Sequence, residues 1–463
     1  MISIEQTKQA LSQQLESLCR DQEAAGPPAQ MKAIRRVEAP VDIGDPLDWL
    51  SHQAHATRTY WANREGSLEM AGVGRADSLS GQNKLDYEAI FAGMHQTLQA
   101  SYPNVRYYGG FRFNPLVTAD KYWAAIPGYS FIVPRFEVIR SGSATRLAYN
   151  FISPQDGPVE DVRRQFQEEL EALRLEPRHR AKFSIELGSR WDLPSQKEWE
   201  KIVRTALQMI ENNELQKIVL ARKSIFELRK SLNPFRLLKR LTKFKSNVYY
   251  FGFQPVKSVA FIGATPERLY YRENQELISE AIAGTRARGK DAEEDQALEL
   301  QLLRSSKEIQ EHRWVSKVVQ EALDPICLEL HTPVREHILK LPNVQHLFTS
   351  FRGKLKPGIT DGEILSKLHP TPAVGGYPRI ESLIRISELE PFDRGWYAGP
   401  VGWVSRDAAE FAVAIRSALV SSSSISLFAG GGIVPGSVPE EEWEEVENKI
   451  LKFTSIFKSD GYL

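Results

Sequence analysis

Between residues 31 and 186 apolar and polar positions alternate in short runs, TRTYWA, VRYYGGFRF, YSFIVPRFEVIR and ATRLAYNFI, separated by Gly, Pro, Asn and Asp. Alternation with period two turns one face of each run inward, so these segments predict antiparallel strands. VEDVRRQFQEELEALRL and SQKEWEKIVRTALQMIENN repeat their apolar residues every 3.6 positions with charged opposite faces. Each predicts a surface helix that lays one stripe on a sheet. After Leu215 the strand patterns KIVLARKSIFEL, NVYYFGFQ, VAFIGATPERLYYR and ELISEAIAG lead into one long helix predicted from about Ala292 to Ala322. Mixed signals follow, then a closing helix predicted from about Glu440 to Phe457. At the other end, MISIEQTKQALSQQLESLCRDQEAAGPPAQ predicts an amphipathic helix stopped at Gly26, Pro27 and Pro28.

Composition narrows the function classes. The chain has 463 residues, 42% hydrophobic and 25% charged, the make-up of a globular protein and not of a disordered or fibrous one. Lys plus Arg and Asp plus Glu are 59 each, which leaves no net cationic field for nucleic acid or an anionic membrane. Apolar stretches such as Ile218 to Ala221 fall far short of the roughly 20 residues of a membrane helix. Cys19 and Cys327 alone make neither a disulfide framework nor a thiolate metal site. The first residues lack the apolar core of a signal peptide and the acid-poor bias of a transit peptide, so the expected location is cytoplasmic. Length alone would accommodate about three domains, yet there are no repeats and no clear linker.

Several residues carry chemistry. In LQKIVLAR, Lys217 shares a strand face with Leu215, Val219 and Ala221. Desolvation there would lower its pKa and make a general base, and the competing reading is a strand-end lysine that snorkels to water. Glu308 and Glu311 are spaced i,i+3 beside the apolar stripe of Val315 and Val319; Glu442, Glu445 and Lys449 form a similar stripe in the last helix. Carboxylates near an interior repel one another unless a cation lies between them, and an all-oxygen set suits Mg²⁺; either helix taken singly also reads as a solvated face. Gly430, Gly431 and Gly432 precede that helix, where backbone amides could receive an anion or where a tight sheet-to-helix turn could need glycine. Arg416 falls inside the apolar run AEFAVAIRSALV, and a buried guanidinium there calls for a carboxylate or phosphate partner, one of the glutamates included. Glu267 follows a turn in GATPERLYY, and His346 lies in an apolar run that equally fits a core histidine. No Ser-His-Asp, Cys-His or zinc-type spacing stands out.

KIVLAR, TPER, AIAGTRARG, SSKEIQEH, QHLFTSFRG, LHPTPAVGG, EPFDRGWYAGPVGW, FAVAIRSA and FAGGGIVPGSVPEEEWEEVENK occur in that order from about Leu215 to Lys449. Together they resemble the chorismate-utilising enzymes. The resemblance implies a Mg²⁺-dependent α+β fold with large antiparallel sheets stacked and helices outside. It implies one α+β domain over residues 1–463, with a chorismate-binding core over 196–457. Residues 1–190 carry no quoted motif. Lys217 matches the general base of members that add water, where ammonia-using members typically carry glutamine, and Ala283 replaces the nucleophilic lysine of another branch. EPFDRGWYAG and PEEEWEEVENK are more similar to isochorismate synthases of the menaquinone and phylloquinone branch than to siderophore ones.

By the same resemblance, Glu267 is the general acid. Glu311 and Glu445 are direct Mg²⁺ ligands, with Glu308 and Glu442 assisting. Arg416, Tyr397, Lys449, Gly430 and Gly432 bind the carboxylates of chorismate, and Gly284, Thr285 and His346 line the rest of the pocket. No amidotransferase subunit is expected. A salicylate synthase, which goes on to eliminate pyruvate, shares the base, acid and ligands; a non-catalytic chorismate-binding scaffold would lack one of them.

Overall fold

The structure is a computed structural model, and it describes residues 3–25, 32–82, 85–117, 119–153, 159–176, 183–243, 247–333, 336–340, 344–454 and 457. The predicted stop at Gly26, Pro27 and Pro28 lies outside them, and the helix before it spans Ile4–Ala25. Among the described residues the strands form two antiparallel sheets, one of twelve strands and one of ten. The α+β class expected from the sequence holds.

Both sheets take strands from both halves of the chain. In the first, the edge strand Ala33–Pro40 is followed by Ala144–Ser153, Phe136–Ser141, Leu68–Val73 and Arg58–Ala62. Tyr249–Val256, Val259–Thr265, Ser417–Ser421, Ser424–Ile433, Lys217–Leu228 and Gly376–Tyr377 continue it, with Leu187–Leu193 also on Lys217–Leu228. The second runs from Cys327–His331 through Val344–Leu355, Glu276–Ala287, Arg268–Glu273, Ala408–Val413 and Pro400–Val404 to Tyr107–Phe111, Tyr129–Val133 and Asp77–Gly81. Apolar side chains of the first sheet pack on aromatic residues of turns, as in Phe261 against Trp123 and Phe253 stacked on Trp396 at 4.9 Å. Burying each such ring stabilises the fold by roughly 1.5–3 kcal/mol.

The chain passes between the sheets at several points, and two of these crossings build the site. Val259–Thr265 belongs to the first sheet and Arg268–Glu273 to the second, so the chain crosses at Pro266 and Glu267. Ala408–Val413 and Ser417–Ser421 make the return crossing at Ala414 to Arg416. The strands pair with each other in both sheets, and the corners are bonded: Val413 N donates to Glu267 O at 3.0 Å and Ala264 N to Arg416 O at 3.2 Å. Arg416 is therefore at a corner with φ +50°, not inside a strand as its apolar flanks suggested. A left-handed backbone at an arginine is uncommon, and the bonded corners hold it there.

The long helix predicted over 292–322 is two helices, Ala292–Arg304 and Ser306–Leu323. Ser305 adopts an extended backbone (φ −73°, ψ 107°), ends the first and caps the second by accepting from Glu308 N. A serine offering its side chain to the backbone competes with helix propagation, and that is where the pattern breaks. The second helix packs on Glu276–Ala287 and Val344–Leu355. Pro439–Thr454 packs on Ser424–Ile433 and on Gln196–Glu211, where Trp199 meets Trp443 edge to face. Helices Pro46–Ser51 and Tyr87–Gln99 interrupt the N-terminal region that alternation had marked as strand.

Candidate active site

The site gathers where the two crossings face the end of Lys217–Leu228. That strand begins at Lys217 and is pinned by a buried pair from the EPFDRG segment. Glu390 accepts from Ala221 N at 2.7 Å, while Arg394 donates to Glu390 and, at 2.7 Å, to Val219 O. Neither residue was singled out from the sequence, although a charged pair inside an otherwise apolar motif was the available signal.

Lys217 is buried, yet its ammonium is not bare: Nζ donates to Glu311 Oε1 at 2.6 Å. The side chain therefore ends inside the site on Glu311 and does not snorkel to water. Gly430, Gly431 and Gly432 lie within Ser424–Ile433, in register with Ala221, Leu220 and Val219, not in the sheet-to-helix turn that their spacing suggested. They are needed for space. A Cβ on Gly432 would stand 3.0 Å from Lys217 Cε and 3.4 Å from Glu311 Oε1, and one on Gly430 would stand 2.9 Å from Leu220 O and 3.2 Å from Tyr397 Oη. Tyr397 itself is held by stacking on Phe428 at 5.2 Å.

Glu267 occupies the dry end. Burial, then the charge of Glu280, pushes its carboxyl up to about 7, against the opposing pull of Lys217 and Arg416. Thr371, from the LHPTPAVGG segment, lies against it and was missed in the sequence. So was His369, whose Nε2 is 3.0 Å from Phe113 O and whose burial lowers it to about 4. Arg416 forms no carboxylate ion pair among the described residues; its Nη2 lies 3.4 Å from His346 Nε2, and desolvation lowers it to about 10. The carboxylate partner expected for it is thus supplied only at longer range, by Glu267. His346 Nδ1 in turn meets Thr285 Oγ1 at 2.9 Å. A guanidinium this desolvated and without a carboxylate in contact can take an anionic ligand.

At the open end, exposed Lys449 donates to Gly430 O at 2.9 Å and to Glu445 at 2.7 Å. Glu308 pairs with Arg286 at 3.2 Å and faces Gly284, whose φ of +73° favours glycine and whose Cβ would stand 3.1 Å from Glu308 Oε2. Glu442 stands against Gly431, with its Oε2 3.1 Å from where a Cβ would be. Successive strand residues face opposite ways, so Glu442 is across the strand from the Lys217–Glu311 pair.

The structure therefore brings the fourteen sequence candidates to one region but does not cluster the four glutamates. Among the described residues no three His, Cys, Asp or Glu side chains are gathered closely enough to hold a metal. Lys217, Lys449 and Arg286 provide the compensating charges that the sequence argument had given to a metal ion. The donor chemistry nevertheless fits a hard cation: oxygen ligands only, beside strand positions kept open by glycine.

No helix among the described residues is long and apolar enough to cross a membrane. The profile of the family described as chorismate binding enzyme matches residues 20–458. The chain is 32% identical to isochorismate synthase 2, chloroplastic, of Arabidopsis thaliana over 94% of its length and 83% of that protein. It is 31% identical to isochorismate synthase MenF of Bacillus subtilis, covering 89% of this chain and 90% of the relative. The solved structure of the menaquinone-specific isochorismate synthase MenF of Escherichia coli superposes with a TM-score of 0.82 at 28% identity, covering 97% of this chain and all of that one. Anthranilate synthase component I of Streptococcus pneumoniae, at 22% identity and a TM-score of 0.68, shares the fold. A match over nearly the whole chain, on a site built from the residues described above, makes this protein a member of the chorismate-binding enzyme family.

Proposed function

We propose that the chain is an isochorismate synthase, converting chorismate to isochorismate by adding water at C2 and releasing the C4 hydroxyl. The observation that carries this reading is a buried carboxyl, Glu267, raised to about 7 within reach of the charge of Lys217, a lysine at the end of a strand whose partner is lined with glycine. Hydroxide is a poor leaving group, so the departing oxygen needs a proton, and a carboxyl still protonated near neutrality can give one. Lys217 takes the proton from the attacking water, the ring double bonds shift, and Glu267 protonates the leaving hydroxyl. Water enters and water leaves, so the step is balanced.

Arg416, Tyr397, Lys449 and the amides of Gly430 and Gly432 are assigned to the two substrate carboxylates. Gly284, Thr285 and His346 complete the pocket wall. Mg²⁺ is the inferred cofactor, with Glu311 and Glu445 as ligands and Glu308 and Glu442 in support. When bound, it supplies positive charge to the ring carboxylate and to Glu311. For Lys217 to act as a base, Glu311 must release it and the ammonium must give up a proton, so that the neutral amine meets the attacking water. The menaquinone or phylloquinone branch and a cytoplasmic location complete the reading, with water and not ammonia as nucleophile and no amidotransferase subunit.

The test is purified protein with chorismate and Mg²⁺, coupled to lactate dehydrogenase. Isochorismate without pyruvate is the expected product. Stoichiometric pyruvate would replace this reading with a salicylate synthase, and no turnover would leave a chorismate-binding scaffold.

A further inference from the structure

Behind Glu267 lies an ion cluster, buried except at Glu65, that the reaction scheme does not use, and half of it comes from the part of the chain without family motifs. Arg64, in the turn between Arg58–Ala62 and Leu68–Val73, grips both carboxylate oxygens of Glu280, the Nη1 contact being 2.8 Å. The same Nη1 donates to Pro266 O at 3.2 Å, the carbonyl immediately before Glu267. Arg268, immediately after Glu267, donates to Glu280 Oε1 at 3.1 Å and to Glu65 Oε1 at 2.6 Å. The Glu280 and Arg64 side chains are 2% and 9% exposed, so these contacts are scarcely screened by water.

We propose that Arg64 and Glu280 are a positioning pair for Glu267, one fixing the backbone at Pro266 and the other placing a negative charge beside the acid. The proposal rests on Glu267 being the acid of the reaction. Groups facing Glu267 are Glu280 from the neighbouring strand, Lys217 from Lys217–Leu228, Arg416 from the return crossing, Thr371, and Tyr397. Of these, Glu280 is the anion that favours retention of the proton, and Lys217 and Arg416 oppose it. Arg64 offsets part of the Glu280 charge, so removing either member changes the field at Glu267 with opposite sign. A bidentate guanidinium that also reaches a carbonyl fixes position in a way that an ammonium cannot.

The experiment is the pH dependence of kcat and KM for the full chain with chorismate and Mg²⁺, in wild type, Glu280→Gln, Arg64→Met, Arg64→Lys and Glu267→Gln. Glu280→Gln, nearly isosteric, moves the alkaline limb of kcat down by roughly one pH unit with KM little changed. Arg64→Met moves the limb up and lowers kcat by roughly tenfold through loss of the Pro266 anchor. Arg64→Lys returns the limb to its wild-type position while recovering only part of kcat. General destabilisation does not shift two limbs in opposite directions. Limbs that stay in place, or that both move the same way, overturn the proposal, and Glu280→Gln alone decides it if Arg64→Met does not fold. A Glu267→Gln enzyme with wild-type rate overturns the acid assignment and this proposal with it. An inactive Glu267→Gln beside unmoved limbs overturns this proposal alone.

Discussion

Lys217 Nζ lies 2.6 Å from Glu311 Oε1, joining the start of the strand Lys217–Leu228 to the helix Ser306–Leu323. An ammonium paired with a carboxylate must be released and lose a proton before it can serve as a base, so loss of either partner acts on the rate more than on the fold. Lys217→Ala is expected to lower kcat by roughly 10²–10⁴-fold. Its folding free energy should change by no more than about 2 kcal/mol, because Glu311 keeps access to water. Steady-state kinetics together with a thermal melt check this. A Lys217→Ala enzyme within a factor of a few of wild type sinks the assignment.

Glu311, Glu445 and Glu308 are paired with Lys217, Lys449 and Arg286 in this structure, and a divalent cation would compete with those pairs. Dialysis against EDTA should abolish turnover, with Mg²⁺ restoring it. Ligand binding to the folded state raises the melting temperature by mass action, so Mg²⁺ should stabilise the wild type and do so much less in Glu311→Gln. Full activity after exhaustive chelation, or equal stabilisation of both proteins, would remove the metal from the reading.

How far the sequence disclosed this site depended on whether the relevant relation was local. Glu308 and Glu311 share a helix face because 3.6-residue periodicity requires it, and Lys217 shares a strand face with Val219 and Ala221 because period two requires it. The change of sheet was not legible at either crossing: the turn before Glu267 could be read, but not that the strand after it joins the other sheet, and at Arg416 the apolar pattern runs straight through. Arg64, 202 positions before Pro266, is brought to it by the pairing of Arg58–Ala62 with Tyr249–Val256, a long-range relation that local pattern does not show. Tyr87–Gln99 was readable in principle: Ile90, Phe91, Met94 and Leu98 have helical spacing and Asp86 caps the helix by accepting from Ala89 N. Surrounding strand signals obscured it.

Glu267 couples activity to stability. Its carboxyl, raised to about 7, retains its proton where an unfolded glutamate has lost it. Between the ordinary carboxyl range and pH 7 the folded state binds the extra proton, so this group's contribution makes stability fall as pH rises through that window, by up to about 3 kcal/mol. As an acid it is competent below about pH 7 and loses tenfold in rate per unit above it, before any shift caused by substrate. Glu267→Gln should therefore abolish turnover yet be more stable than wild type at alkaline pH, with the difference shrinking in acid. Denaturant melts at two pH values measure this, and a variant that is less stable under alkaline conditions contradicts a desolvated, protonated carboxyl.

Gly432 provides a test of geometry without removing any functional group. A Cβ there would stand 3.0 Å from Lys217 Cε, 3.4 Å from Lys217 Nζ and 3.4 Å from Glu311 Oε1, and all three atoms belong to flexible side chains that can yield. Displacing catalytic groups by about 1 Å can cost on the order of 10²-fold in rate. Gly432→Ala is thus expected to lower kcat between roughly 10- and 100-fold while stability changes by less than about 1 kcal/mol, the added methyl meeting side-chain ends and no backbone. Gly436 is the counterpart: nothing lies within 4 Å of its Cβ position, but its φ of +86° strains any other residue. Gly436→Ala should cost roughly 1 kcal/mol or more of stability with kcat nearly unchanged. If the two substitutions have the same profile, the glycines of Ser424–Ile433 serve the strand and not the space around Lys217.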